Sequence, residues 1–274
     1  MINDTIKENI TKLSEEQLKT LKEIEELENT YLEKYYYFLK FVEREILLGL
    51  KTKDYIKDDW FSKWGGSGQT SDFAVGAERI VYALLNGKGI GQPNSCPVGA
   101  DLMFEVDDAM IHIDMKTVCT DNIGDCTKNI FVGENQNSYK GTIVKRTGDN
   151  EQYIPNLPYI YTVKKENYIK PLKKLCLSYF IVILYDKNDL DTLYILITSM
   201  PNGLLEPVYG SSVLAAGKNP GKARYNFSQA PQFALLKNKL RTRVIYLNDK
   251  IREDEHLKNE LSEIIKLSDS PLNR

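Results

Sequence analysis

The spacing of apolar residues divides the chain into helical and extended stretches. Ser14-Glu15-Glu16-Gln17 places a glutamine three positions after a serine, as in a capping box. Beyond it, Leu18, Leu21, Ile24, Leu27 and Tyr31 recur at intervals of three and four, and Tyr35, Phe38, Leu39, Val42, Ile46 and Leu47 continue the stripe. Residues 4–50 are therefore expected to be helical, within an N-terminal helical lobe over residues 1–60. The apolar face of this lobe serves packing or a dimer partner. The polar run 51–71, ending in Gly65-Gly66-Ser67-Gly68-Gln69-Thr70, reads as a loop. The spacing predicts a further helix over residues 73–85, which Ser71 or Asp72 can cap and Gly87 and Gly89 stop. The run Gly87-Lys88-Gly89-Ile90-Gly91 follows a helix and lacks the spacing of a nucleotide loop, so it reads as a linker.

From residue 100 the period changes to two. Residues 100–106 and 109–118 read as a hairpin turning at Asp107-Asp108. A looser polar segment covers 121–148, and a short strand is expected at 159–163. Residues 175–185 and 192–198, rich in β-branched and aromatic side chains, read as an antiparallel pair joined by a turn at 186–191. The Gly- and Pro-rich stretch 201–233 reads as loop, 243–247 as a last strand and 254–267 as a closing helix.

Composition narrows the class. A chain of 274 residues fits one large domain, or a core with an added lobe, and 42% hydrophobic with 27% charged residues is ordinary for a globular protein. A net charge of −2 excludes a uniformly basic nucleic-acid coat. Residues 207–248, however, carry seven Lys or Arg and no Asp or Glu. Such a block is either a surface for a polyanion or a solvated face. Four cysteines without a CxxC pair, and only two histidines, argue against a zinc site. Sparse cysteine at this size points to a reducing cytoplasm. Met1–Lys12 is too polar for a signal peptide, and the longest apolar run, 180–185, is too short to span a bilayer, so no membrane partner is expected.

The hairpin carries the chemistry. Alternation puts Asp101, Met103 and Glu105 on one face of its first strand, and His112, Asp114 and Lys116 opposite Ile111, Ile113 and Met115 on its second. One reading is a wet sheet face whose charges pair across strands. The other is a hard-cation site: two carboxylates supply oxygen ligands to Mg²⁺, with open positions for phosphate and water, and a lysine two residues along reaches both. On the preceding helix, Ala74, Glu78, Val81 and Leu85 form a stripe. A carboxylate there is costly to bury unless a cation stands beside it.

Pro97-Val98-Gly99-Ala100-Asp101 followed by Asp114-Met115-Lys116 resembles the motif of the PD-(D/E)XK nucleases, with the proline four places before Asp101 instead of adjacent. The resemblance implies an α/β (α+β) fold: a mixed central β-sheet flanked by helices, a restriction-endonuclease-like core over 61–274 with a C-terminal DNA-recognition region. It implies Mg²⁺-dependent hydrolysis of double-stranded DNA, one or two ions per active site, leaving a 5′-phosphate and a 3′-hydroxyl. Asp101 and Asp114 would be metal ligands, and the Met115 carbonyl a third. Lys116 would position or activate water, and Glu78 would be an accessory acid. Glu105 could serve a second ion. Within this family the chain looks most like a type II restriction endonuclease, acting as a homodimer on a short palindromic site and paired genetically with a cognate DNA methyltransferase. A repair or junction-resolving nuclease of the same fold, or a non-catalytic DNA-binding protein, remain the alternatives.

Two segments have the residue types that read DNA. In 133–140, Asn135, Gln136 and Asn137 can bond adenine edges, with Ser138, Tyr139 and Lys140 beside them. In 218–229, Arg224 can pair with a guanine edge, Asn226 or Gln229 with adenine, Tyr225 can stack, and Lys218 and Lys222 can hold phosphate. Lys237, Lys239, Arg241 and Arg243 alternate as one face of a strand would, and are expected to hold backbone phosphates.

Overall fold

A computed structural model describes residues 4–51, 71–86, 92–93, 101–132, 143–144, 152–153, 160–163, 172–201, 205–210, 214–216, 223–226 and 240–273. The N-terminal stretch folds as α1 (Asp4–Thr11), α2 (Glu15–Phe41) and α3 (43–51). The capping box forms as read: Ser14 accepts from the Gln17 amide, and the Gln17 side chain accepts from the Ser14 amide. Acids in the first turn of α2 and Lys40 in its last complement the helix dipole. Helix α4 (Ser71–Asn86) matches the second predicted helix.

The strands are β1 (Gln92–Pro93), β2 (Leu102–Glu105), β3 (Ala109–Cys119), β4 (Asn129–Val132), β5 (Ile143–Val144), β6 (Gln152–Tyr153), β7 (Ile160–Val163), β8 (Leu172–Tyr185), β9 (Thr192–Met200), β10 (Leu214–Ala216), β11 (Ala223–Asn226) and β12 (Thr242–Leu247). Seven make one mixed sheet in the order β1-β2-β3-β8-β9-β12, with β7 on the early part of β8. The pair β3–β8 is parallel and its neighbours are antiparallel. The β2–β3 hairpin closes through the Val106 amide on the Ala109 carbonyl at 3.0 Å, and Tyr31 of α2 donates to Asp108 in its turn at 2.5 Å. Separately, β10, β11 and β4 form a small antiparallel sheet.

Both faces of the main sheet are covered, which explains why β8 is apolar on both sides. On one face Tyr31, Leu32, Tyr35 and Leu39 of α2, Ile46 of α3 and Ala77, Val81 and Leu85 of α4 pack on Ile111, Ile113, Met115, Tyr179, Ile181 and Ile197. The N-terminal helices thus form a wall of the core itself. On the other face Ile130 and Val132 of β4, Tyr225 of β11 and Val208 and Tyr209 of α6 (Leu205–Tyr209) pack on Val118, Phe180, Val182 and Leu196. There they are joined by Ile251 of α7 (Lys250–Glu253), by Leu261 at the junction of α8 (Glu255–Glu260) and α9 (Ser262–Asp269), and by Ile264 and Leu267 of α9.

Three expectations change. The face of β3 bearing His112 and Asp114 is not wet: these residues are 1% and 4% exposed, because β3 is an interior strand under a second layer. The closing helix starts where expected, with Asp254 accepting from the Leu257 amide at 3.0 Å, but it is divided at Leu261, which ends α8 and leads into α9. Within 201–233, α6, β10 and β11 are regular structure, held by pairing to β4 and by burial of Val208 and Tyr225.

Candidate active site

Strand alternation sends Asp114 and Lys116 to one face of β3, where they form an ion pair. Continuing the β2–β3 register by one residue sets Asp101 opposite Asp114. Asp101 is exposed, and its Oδ2 accepts from the Met115 amide at 2.6 Å. The N–H and C=O of one residue leave a strand on the same edge. The Met115 carbonyl therefore opens on the side of Asp101. Beneath the amine lies an apolar floor: Lys116 Nζ is 5.6 Å from the ring centroid of Phe180, which stands beside Asp114 in the parallel ladder.

Glu78 approaches from α4. Its carboxyl is raised above the usual carboxylate range, first by burial and next by the negative charge of Asp101, while Lys116 and Arg79 pull it down. Glu78, Asp101, Asp114 and Lys116 thus share one electrostatic neighbourhood at the start of β2. Solvent reaches it through Asp101 and through Lys116, whose side chain is 25% exposed.

This donor set is all oxygen, which suits a hard divalent cation. Among the described residues no three His, Cys, Asp or Glu side chains stand together as a metal cage. Two carboxylates and a backbone carbonyl fit such a cation when water completes the shell.

Two neighbours on the hairpin have other employment. Glu105 takes Lys174 Nζ at 2.9 Å, and that amine also donates to the Val106 carbonyl at 2.5 Å, so Glu105 neutralises a nearly buried lysine. His112 is held down to about 4 by burial, so it is neutral near pH 7. Neither ring nitrogen completes a hydrogen bond of ordinary geometry among the described residues, although the ring lies against the Leu177 backbone.

The structure corrects part of the DNA-contact reading. Arg241 is 1% exposed and donates to Glu28 at 2.8 Å, Glu25 at 3.3 Å and the Tyr209 hydroxyl at 3.1 Å. Arg243 is buried against Glu33. Both face the acidic stripe of α2 and cannot hold phosphate. Tyr225 is buried in the core and cannot stack on a base. Arg224 keeps an exposed edge, in strand β11 instead of a loop. Asn226 ends that strand, and its side chain lies outside the described residues, as do Asn135, Gln136, Asn137, Ser138, Tyr139, Lys140, Lys218, Lys222, Gln229, Lys237 and Lys239. Lys174 and Phe180 escaped the sequence reading. A lysine at the head of the most apolar strand was the available signal for the first, and Phe180 had none beyond its apolar neighbours.

The family model for the N-terminal domain of type II restriction enzyme MwoI matches residues 20–190, and that for its central domain matches 192–247. Among solved structures, restriction endonuclease BglI bound to its DNA recognition sequence is similar with a TM-score of 0.62 at 16% identity, over 84% of this chain and 94% of that one. Tetrameric restriction endonuclease SfiI bound to cognate DNA gives 0.58 at 15%, over 84% and 86%. At these identities the likeness is one of fold, the restriction-endonuclease-like fold. Sequence comparison with curated proteins finds no match.

Proposed function

The chain belongs to the family of type II restriction enzyme MwoI and is a site-specific deoxyribonuclease, and we propose that it cleaves double-stranded DNA with a centre built from Asp101, Asp114, Met115 and Lys116. The observation that supports this most is the joint between the two motif halves. The Asp101 carboxylate rests on the Met115 amide, one residue from the Asp114–Lys116 ion pair.

Asp101, Asp114 and the Met115 carbonyl would hold one Mg²⁺, with Glu78 as an accessory acid and a second ion as an open variant. The chemistry supplied by the bound ion is Lewis acidity, which offsets charge on the scissile phosphate and on the attacking oxygen. Lys116, paired with Asp114, donates to the phosphate and orients the attacking water. Phe180 limits solvent below the amine and strengthens its electrostatics. The products are a 5′-phosphate and a 3′-hydroxyl. A homodimer matches a palindromic site, and a cognate DNA methyltransferase would protect the host's own copies of that site.

Plasmid DNA incubated with the protein and Mg²⁺, or with chelator, tests the proposal. Discrete fragments with Mg²⁺ and none with chelator are expected. Fragments formed equally in chelator remove the metal, and cutting confined to branched substrates favours a junction-resolving enzyme.

A further inference from the structure

Arg224 is held by three kinds of contact at once. Its NH1 donates to Asp125 Oδ1 at 2.6 Å and to the side-chain oxygen of Asn129, and its guanidinium carbon lies 3.7 Å from the ring centroid of Phe131. The supports come from α5 (Gly124–Thr127) and from β4, the chain that runs on from β3. Register explains the orientation. Tyr225 lies opposite Ile130 and both turn into the core, so Arg224 and Phe131, paired one step along, face outward. The Arg224 side chain keeps 22% of its surface exposed.

Both NH1 hydrogens are occupied. Nε and NH2 make no hydrogen bond among the described residues, and they form a two-donor edge with fixed spacing. A free arginine loses rotamer entropy when ordered, and here the socket has already ordered it. A surface ion pair alone contributes little and does not require a stacking ring and an amide as well. The remaining edge matches two adjacent acceptors, such as N7 and O6 of guanine in the major groove; a phosphate offers two acceptors too.

We propose that Asp125, Asn129 and Phe131 are positioning residues that set the Arg224 guanidinium as a rigid fork for a guanine edge of the recognised DNA. This rests on the endonuclease reading above. The socket holds NH1 and leaves Nε and NH2 to the base, so Asp125 acts on sequence choice through Arg224 without touching DNA itself.

The test begins by mapping wild-type cleavage positions from the fragment ends. Duplexes bearing the mapped site are then made with each guanine replaced singly by 7-deazaguanine, which lacks N7. Wild-type cleavage is expected to fall about tenfold at one guanine of each half-site. Arg224→Ala and Asp125→Ala should be indifferent to that replacement while keeping their thermal midpoints near wild type. Asp125→Glu should regain part of the sensitivity, and Asp125→Ala should add nothing in an Arg224→Ala background. Full guanine sensitivity in Asp125→Ala overturns the proposal, as does an Arg224→Ala variant that loses specific and random DNA equally, which marks a phosphate contact. A wild-type protein giving no discrete fragments removes the endonuclease reading as well. Discrete fragments with an Asp125→Ala variant that still senses N7 remove the positioning role alone.

Discussion

Around β3 and β12 the chain carries ionisable residues two apart, Asp114 and Lys116 in one place and Arg241 and Arg243 in the other, and the fold uses them in opposite ways. Arg241 and Arg243 point at α2, where Glu25, Glu28 and Glu33 stand ready, and water is excluded from most of the network. Asp114 and Lys116 point to the other face and pair within their own strand, and their surroundings open through Asp101 and the partly exposed lysine. A charge met by a partner on a packed element holds the fold together. A charge whose neighbours reach solvent stays available to a ligand. Sequence alternation looks the same in both cases, and only the opposing surface separates them.

Breaking the structural half should produce the largest effect. Arg241→Met removes the buried cation that Glu25 and Glu28 share and should cost about 3–5 kcal/mol of stability, read as a shift in the urea unfolding midpoint. A change below 1 kcal/mol would mean that the carboxylates are relieved in another way. Breaking the proposed catalytic pair should spare the fold and remove the chemistry: Lys116→Ala is expected to slow cleavage by about 10²–10³-fold while specific DNA binding and the melting temperature persist. Cleavage within threefold of wild type would exclude Lys116 from the centre.

His112 sharpens the contrast, because it lies on β3 yet belongs to the buried part. Its folded value of about 4 lies below the ordinary 6.5. Between those values the unfolded chain binds a proton that the folded chain refuses. Stability should therefore fall as pH drops from 6.5 towards 4 and level off below, by a total on the order of 3 kcal/mol. His112→Gln should flatten that window, and an unchanged slope would contradict its burial. The smallest effect is expected for Arg243→Met, about 1 kcal/mol, because the Glu33 side chain is 32% exposed and water can replace the arginine.

Much of this contrast was legible in the order of residues. The hairpin, its turn at Asp107-Asp108 and the pair β8–β9 follow from period-two patterning, and Ser14 announced α2 through its capping box. The juxtaposition of Asp101 with Asp114 followed from strand register, which a short turn fixes. What stayed hidden was the second layer. Nothing in the spacing of Arg241 and Arg243 reveals that a helix more than 200 residues earlier brings acids to meet them. The same holds for Asp125 and Asn129, ordinary polar residues until β11 pairs with β4 and sets Arg224 against them. Tyr225 and Arg224 are adjacent in the chain and take opposite fates, because a strand sends neighbours to opposite faces.

The most direct measurement is Mn²⁺ binding, followed by electron paramagnetic resonance as loss of the free-ion signal, with the protein on DNA carrying its mapped site. Lys116→Ala protein would be compared with Lys116→Ala combined with Asp101→Asn or Asp114→Asn. Binding should be present in the first and at least about tenfold weaker in each combination, since two carboxylates supply the protein's charged ligands. Equal binding in all three would contradict a shared ion between Asp101 and Asp114.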